Sequence, residues 1–206
     1  MKTEIHNLSD DDLMAGAARG EAACLEELVR RWQEPVLRFL RRMLGDPAEA
    51  EDLAQETLVR VIRSADAYQP RGRFRSWLFR IAGNLARNEI RRRKLRRFLS
   101  LDALAETVFG SGREPGRQPA IPSSPGGPGR NPGLDLEAAE LQDALQRAVL
   151  KLPERQRQVL ILRRLEGLTQ REAAEALEVT ESVVESLLWR ASRNLKRRMK
   201  PYLASD

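Results

Sequence analysis

Cysteine and histidine are almost missing: the 206 residues include one of each, Cys24 and His6. A disulfide framework is therefore excluded, and so is a Cys/His zinc cluster within one chain. A lone thiol fits a reducing cytosol. Long apolar runs are missing too. Stretches such as Val159-Leu160-Ile161-Leu162 are far too short to span a bilayer. The N-terminal MKTEIHNLSDDD is acidic and lacks a signal-peptide core. The expectation is a soluble, cytoplasmic protein without membrane insertion. There is no phosphate-binding glycine loop, and one histidine leaves no catalytic constellation to assemble. No catalytic residue, metal site or cofactor is expected, and the chain is not read as an enzyme.

What is present is charge, unevenly placed. Lys and Arg total 36 against 30 Asp and Glu, a net +6. Between Arg71 and Arg97 stand 11 basic residues and one acid, Glu89, and between Arg190 and Lys200 six basic residues and no acid. The remainder carries a net −10. A solvated surface intersperses the signs; two basic blocks on an acidic body suggest two contacts with a polyanion.

Glycine and proline are also concentrated. Of the 24 such residues, 13 lie between Gly110 and Gly133. A segment with so little apolar surface cannot offset its ordering entropy, and a flexible tether is expected. Helical bodies flank it, and neither shows strand alternation. The reading is all-α: two small helical domains, 8–98 and 134–200, joined by a Gly/Pro-rich flexible linker at 99–133.

In the first body the pattern predicts helices from Glu21 to Trp32 and from Pro35 to Gly45. A third opens at Asp46-Pro47, and a fourth runs from about Phe74 to Arg97, with Trp77, Leu78, Ile81, Ala82 and Leu85 as its core side. In the second, helices start at Leu134 and Pro153, the latter stopped by Gly167. Thr169-Gln170-Arg171-Glu172 fits a capping box for a helix from Gln170, and a last helix covers Ser182 to Met199.

From Gln170 to Trp189 the spacing suits a helix-turn-helix. Ala173 and Ala174 allow close crossing, and Leu177, Val179, Val184 and Leu187 form the wedge between helices. Glu178 stands in the turn where glycine is more usual. The outward candidates are Thr180, Glu181, Ser182, Glu185, Ser186, Trp189 and Arg190, with Arg193, Lys196, Arg197 and Arg198 along the backbone. The first basic block interleaves Tyr68, Phe74, Trp77 and Phe79 with arginines. Arginines bind phosphates, and aromatic faces receive unstacked bases, so this block suits a melted strand. Asn84 and Asn88 offer amides to bases. The competing reading for Trp77 and Ile81 is plain core.

The runs DPAEAEDLAQETLVRVIR and FRSWLFRIAGNLARNEIRRR resemble the second domain of extracytoplasmic-function (ECF) sigma factors of the sigma-70 family. LPERQRQVLILRRLEGLTQREAAEALEVTESVVESLLWRASRNLKRR resembles their fourth domain. The resemblance implies a subunit that binds core RNA polymerase and directs recognition and melting of promoter DNA. It implies core binding by Asp52, Gln55 and Glu56. For the minus-ten element it implies the loop with Arg73, Phe74 and Arg75, which holds a flipped base, and the helix through Arg80, Asn84, Arg87, Asn88, Arg91, Arg92 and Arg93. For the minus-thirty-five element it implies Arg171, Thr180, Glu181, Ser182, Glu185, Ser186, Trp189, Arg190 and Arg193. An anti-sigma factor is a further implied partner. The chain departs from the family pattern at Glu185 and Leu187, where arginine is frequent, so the upstream promoter sequence does not transfer.

The two elements lie about 25 base pairs apart, roughly 85 Å at ~3.4 Å per pair. A random coil of the tether's length averages only about 35 Å. A rigid partner must hold the bodies apart, and alone they are expected to sit close. Two other readings compete. A LuxR-like regulator shares the GLTQREAAEAL pattern but leaves the basic first body unexplained. An RNA-binding or scaffold protein predicts comparable affinity for unrelated RNA and for promoter DNA.

Overall fold

The computed structural model describes the backbone of residues 5–107 and 132–203 and the side chains of 5–99 and 139–202. Every regular element among them is helical. In chain order these are α1 (Asp10–Ala18), α2 (Ala22–Leu44), α3 (Pro47–Arg63), a 3₁₀ turn (Ala65–Ala67), α4 (Phe74–Thr107), α5 (Pro132–Leu150), α6 (Glu154–Leu160), α7 (Gln170–Leu177) and α8 (Glu181–Leu203).

The caps explain most boundaries. Asp46 accepts from the Glu49 amide with Pro47 in the first turn, and Gly45 closes α2 at φ 71°. Thr169 and Glu172 form the expected reciprocal box. After α6 the chain widens into a π-helical turn, Ile161–Leu165, before Gly167 turns it at φ 68°.

Four expectations change. α1 was not foreseen; Ser9 caps it and Asp10, Asp11 and Asp12 favour its first turn. The two helices expected on either side of Pro35 are one. Proline removes only its own N–H, and the packed side chains of Leu28, Val36, Phe39 and Leu40 hold the helix through the gap. α4 continues past Phe98 to Thr107, and α5 opens at Pro132. The rest of the expected tether lies outside the described residues.

The bodies do sit close, as expected of the chain alone. One apolar cluster runs through both, from Leu13, Val36, Phe39, Leu78 and Phe79 to Val159, Ile161, Leu162, Leu168 and Leu177. Two glycines permit the approach. A Cβ on Gly45 would meet Leu150, and one on Gly83, inside α4, would fall 2.0 Å from Gln158 Nε2. Gln158 is fully buried, and its amide has no hydrogen-bond partner among the described residues. Arg157 is buried beside it and donates to the carbonyls of Met43, Leu150 and Leu152.

Gly83→Ala is therefore expected to destabilise the chain by roughly 1–3 kcal/mol through overpacking. In a Gln158→Ala background the same change should instead stabilise it by about 1 kcal/mol, the helix-propensity difference. Denaturant unfolding of the four proteins measures both. The same sign in both backgrounds would refute the packing account.

Candidate nucleic-acid interface

Three surfaces carry the sequence-predicted residues. The first lies on α3, where capping and the buried stripe through Ala50, Ala54, Thr57 and Val61 turn the opposite side to solvent. Asp52 and Gln55 are exposed there. Glu56 is half-buried and pairs with Arg60 one turn on, at 2.6 Å.

The second is a cleft of about 930 Å³ between the end of α3, the loop after the 3₁₀ turn, and the start of α4. Arg60, Arg63, Arg71, Arg73 and Arg80 surround it, with Tyr68 and Trp77 on its wall. The Tyr68 and Trp77 rings are 4.8 Å apart. Asn84 also lines it and accepts from Arg87. The cleft gathers Arg73, Arg80 and Asn84 from the predicted group. Asn88, Arg91 and Arg92 are exposed further along α4. Arg60 and Arg63 escaped the sequence reading; their signal was their position in the last turn of α3, just before the loop.

Two residues are corrected. Phe74 is 3% exposed and packs against Trp32, Tyr68 and Trp77, at centroid distances of 5.7, 6.0 and 5.8 Å. It floors the loop instead of offering a face to a base. Arg93 turns inward: it pairs with Glu49 of α3 and with Glu89 at 3.5 Å, and donates to the Leu44 carbonyl. The cause is Glu89, the one acid in the block. Buried on the inner side of α4, it draws Arg92 and Arg96 as well.

The cleft is not open on every side. The acidic edge of α7 borders it: Glu175 lies 3.3 Å from Arg73, Glu178 3.3 Å from Arg80, and Glu172 4.0 Å from Arg75. Arg75 also donates to the Glu166 carbonyl. The Glu166 carboxylate, itself buried, meets Arg42 at 2.7 Å and Arg38 at 3.8 Å. Burial raises its carboxyl above the ordinary value, and the two arginines offset this only in part.

The third surface is the helix-turn-helix. Ala173, Ala174, Leu177 and Val184 are buried between α7 and α8, with Val179 and Leu187 packed against them. Glu178 makes the turn at φ 56°, the one non-glycine residue with positive φ among those described. The Val179 amide closes the turn onto the Ala174 carbonyl at 3.0 Å. Beyond it Thr180, Glu181, Ser182, Glu185, Ser186, Trp189, Arg190 and Arg193 are all exposed, as is Arg171 on α7. Trp189, 61% exposed, is covered on one face by the Arg193 guanidinium, 5.4 Å from the ring centroid.

The family model "Sigma-70 region 2" matches residues 28–96, and "Sigma-70, region 4" matches 142–195. The chain is similar to the ECF RNA polymerase sigma factor SigW of Bacillus subtilis, 28% identical over 88% of this chain and 92% of that one. It is 34% identical to the ECF RNA polymerase sigma factor SigE of Mycolicibacterium smegmatis, over 87% of this chain and 64% of that one. The solved structure of CnrH in complex with the cytosolic domain of CnrY superposes with a TM-score of 0.64, at 25% identity, covering 93% of this chain and 97% of that one.

A strand entering the cleft would meet the acidic edge formed by α7 and Glu178. Replacing Glu172, Glu175 and Glu178 together by Gln is expected to tighten binding of a single-stranded oligonucleotide to the free chain about tenfold, since exposed pairs contribute ~0.2–1 kcal/mol each. Fluorescence anisotropy measures it. Unchanged affinity would mean that these pairs do not guard the cleft.

Proposed function

Because the chain belongs to the ECF group of sigma-70 family RNA polymerase sigma factors, we propose that its two helical bodies divide the promoter between them. The chain binds core RNA polymerase and directs promoter recognition, promoter melting and the start of transcription. The division proposed is residues 8–98 for the polymerase and the minus-ten element, and 134–200 for the minus-thirty-five element.

On this reading Asp52, Gln55 and Glu56 dock on the polymerase. Arg73, Arg75, Arg80, Asn84, Arg87, Asn88, Arg91 and Arg92 bind the melted minus-ten strand, with Phe74 supporting the loop from beneath. An unstacked base enters the cleft and meets Tyr68 and Trp77, while the surrounding guanidiniums take phosphates. Arg171 and the outward residues of α8, from Glu181 to Arg193, enter the major groove at the minus-thirty-five element. Ser186 and Arg190 donate to base edges or phosphates, and Glu185 accepts from a cytosine amino group.

The observation that carries this reading is the pairing, on one chain, of an arginine-ringed cleft with aromatic walls and an open recognition face on α8. The first suits separated strands, the second an intact groove. The chain acts in the cytoplasm and performs no chemistry of its own; nucleotide addition belongs to the polymerase. An anti-sigma factor is proposed as its inhibitor.

The test is run-off transcription with purified core polymerase on genomic DNA, followed by mapping of start sites. New starts are expected only when the chain is added. At a promoter found this way, Arg190→Ala is expected to cost about 1–3 kcal/mol of discrimination at one upstream base pair. Arg91→Ala and Arg92→Ala should each lower the salt slope of minus-ten strand binding by about 0.7. Unaltered start sites would overturn the proposal.

A further inference from the structure

We propose that Asp11, on α1, is a positioning residue that sets the shape of the cleft and thereby its choice of base. The inference rests on the minus-ten reading above and adds to it a residue outside the expected group. The Asp11 carboxylate spans the loop that forms one wall of the cleft. Oδ1 accepts from the Tyr68 hydroxyl at 2.6 Å, and Oδ2 accepts from the Gly72 amide. The two donors stand at either end of Tyr68-Gln69-Pro70-Arg71-Gly72, so one side chain fixes both ends of the segment.

Each contact has a consequence in the cleft. Holding the Tyr68 hydroxyl fixes a ring that sits 4.8 Å from Trp77 and 6.0 Å from Phe74, so the aromatic wall cannot swing. Burial and the bond to Asp11 both raise the Tyr68 pKa, which keeps the phenol protonated and donating. Holding the Gly72 amide fixes the turn at φ 65°, from which Arg71 and Arg73 reach the rim. A side chain at Gly72 would be strained by that angle alone.

Asp11 can impose this geometry because α1 is itself anchored. Leu13 and Met14 are buried in the core, Ser9 caps the helix, and Arg31 of α2 pairs with Asp10 at 3.0 Å while donating to the Leu8 carbonyl at 2.8 Å. Charge-assisted hydrogen bonds to a rigidly held carboxylate are the strong kind. The loop is therefore shaped from outside, by a helix that has no place on the cleft wall.

The test uses full-length chain in holoenzyme and promoters carrying each of the four bases at the cleft position. Open-complex formation is measured for Asp11→Ala, Asp11→Asn, Tyr68→Phe and the double variant Asp11→Ala/Tyr68→Phe. Asp11→Ala is expected to reduce discrimination between the best and worst base about tenfold, the scale of one lost hydrogen bond to a charged group. Asp11→Asn retains part of it. Tyr68→Phe keeps the ring and loses the hydroxyl, and the double variant should fall no further than Asp11→Ala alone. Discrimination at the minus-thirty-five element serves as the internal control and is expected to hold.

If Asp11→Ala lowers opening equally on all four promoters, or leaves discrimination intact, the proposal is overturned. Asn84→Ala separates that failure from failure of the underlying reading. Should Asn84→Ala also leave minus-ten preference untouched, the minus-ten assignment itself fails; should it alter preference while Asp11→Ala does not, only the role of Asp11 fails.

Discussion

Three ion pairs, Arg73–Glu175, Arg75–Glu172 and Arg80–Glu178, join the start of α4 and the residue before it to α7 and its C-cap, and they use the guanidiniums that line or flank the cleft. The same charges cannot face glutamates and phosphates at once. Each pair is partly exposed and weak on its own. A nucleic-acid strand, by contrast, presents a row of phosphates and gains from releasing their counterions. The charged part of the contact is therefore reversible. The apolar part is harder to undo, because Ile161, Leu162 and Leu168 complete a cluster shared with Phe39, Leu78 and Phe79. Opening the chain must also replace this buried apolar contact, which charge alone does not do.

The buried polar groups at this junction point the same way. Arg157 donates to three carbonyls, Glu166 faces two arginines, and Gln158 has no hydrogen-bond partner among the described residues. Buried charges cost desolvation that their partners repay only in part, so they fix the register of a contact more than they strengthen it. Gly83 and Gly45 add a steric requirement to the same register, since neither position has room for a side chain. The bodies thus meet in one arrangement without being locked in it. Contacts between units of one chain are ordinarily of this kind, more polar than a core and free to part.

Local rules made much of this legible in the sequence. Asp46-Pro47, the Thr169–Glu172 box, Gly45 and Gly167 each mark a boundary by satisfying backbone groups nearby, and such chemistry needs no knowledge of the rest of the fold. Helical spacing likewise separated Leu78 and Ala82 from the exposed Asn88 and Arg91. What escaped depends on distant partners. Arg42 meets Glu166 across 124 positions and Arg80 meets Glu178 across 98, separations that leave no periodic trace. Arg93 resembles its neighbours in sequence and differs only because Glu49 and Glu89 lie beneath it. Phe74 sits among arginines and looked like a stacking face; its place at the first residue of α4, over Trp32, put it in the core. α1 was missed because its acidic first turn hid a short apolar pair, Leu13 and Met14.

The three surfaces differ in one respect that orders their use. Asp52 and Gln55 on α3 and the outward side of α8 are exposed while the bodies are packed together, whereas the cleft is bordered by α7. On the proposed reading, the polymerase-facing surface is available before the minus-ten surface is. Core polymerase can therefore bind the packed chain and supply what parting it requires: a large surface, apolar and charged, that replaces the contacts between the bodies. On the same reading, parting the bodies would take the glutamates from the cleft and free its arginines for the strand. On that reading the spacing of promoter elements follows from the polymerase, and the chain contributes cleft arginines that are paired with glutamates while its bodies are packed together.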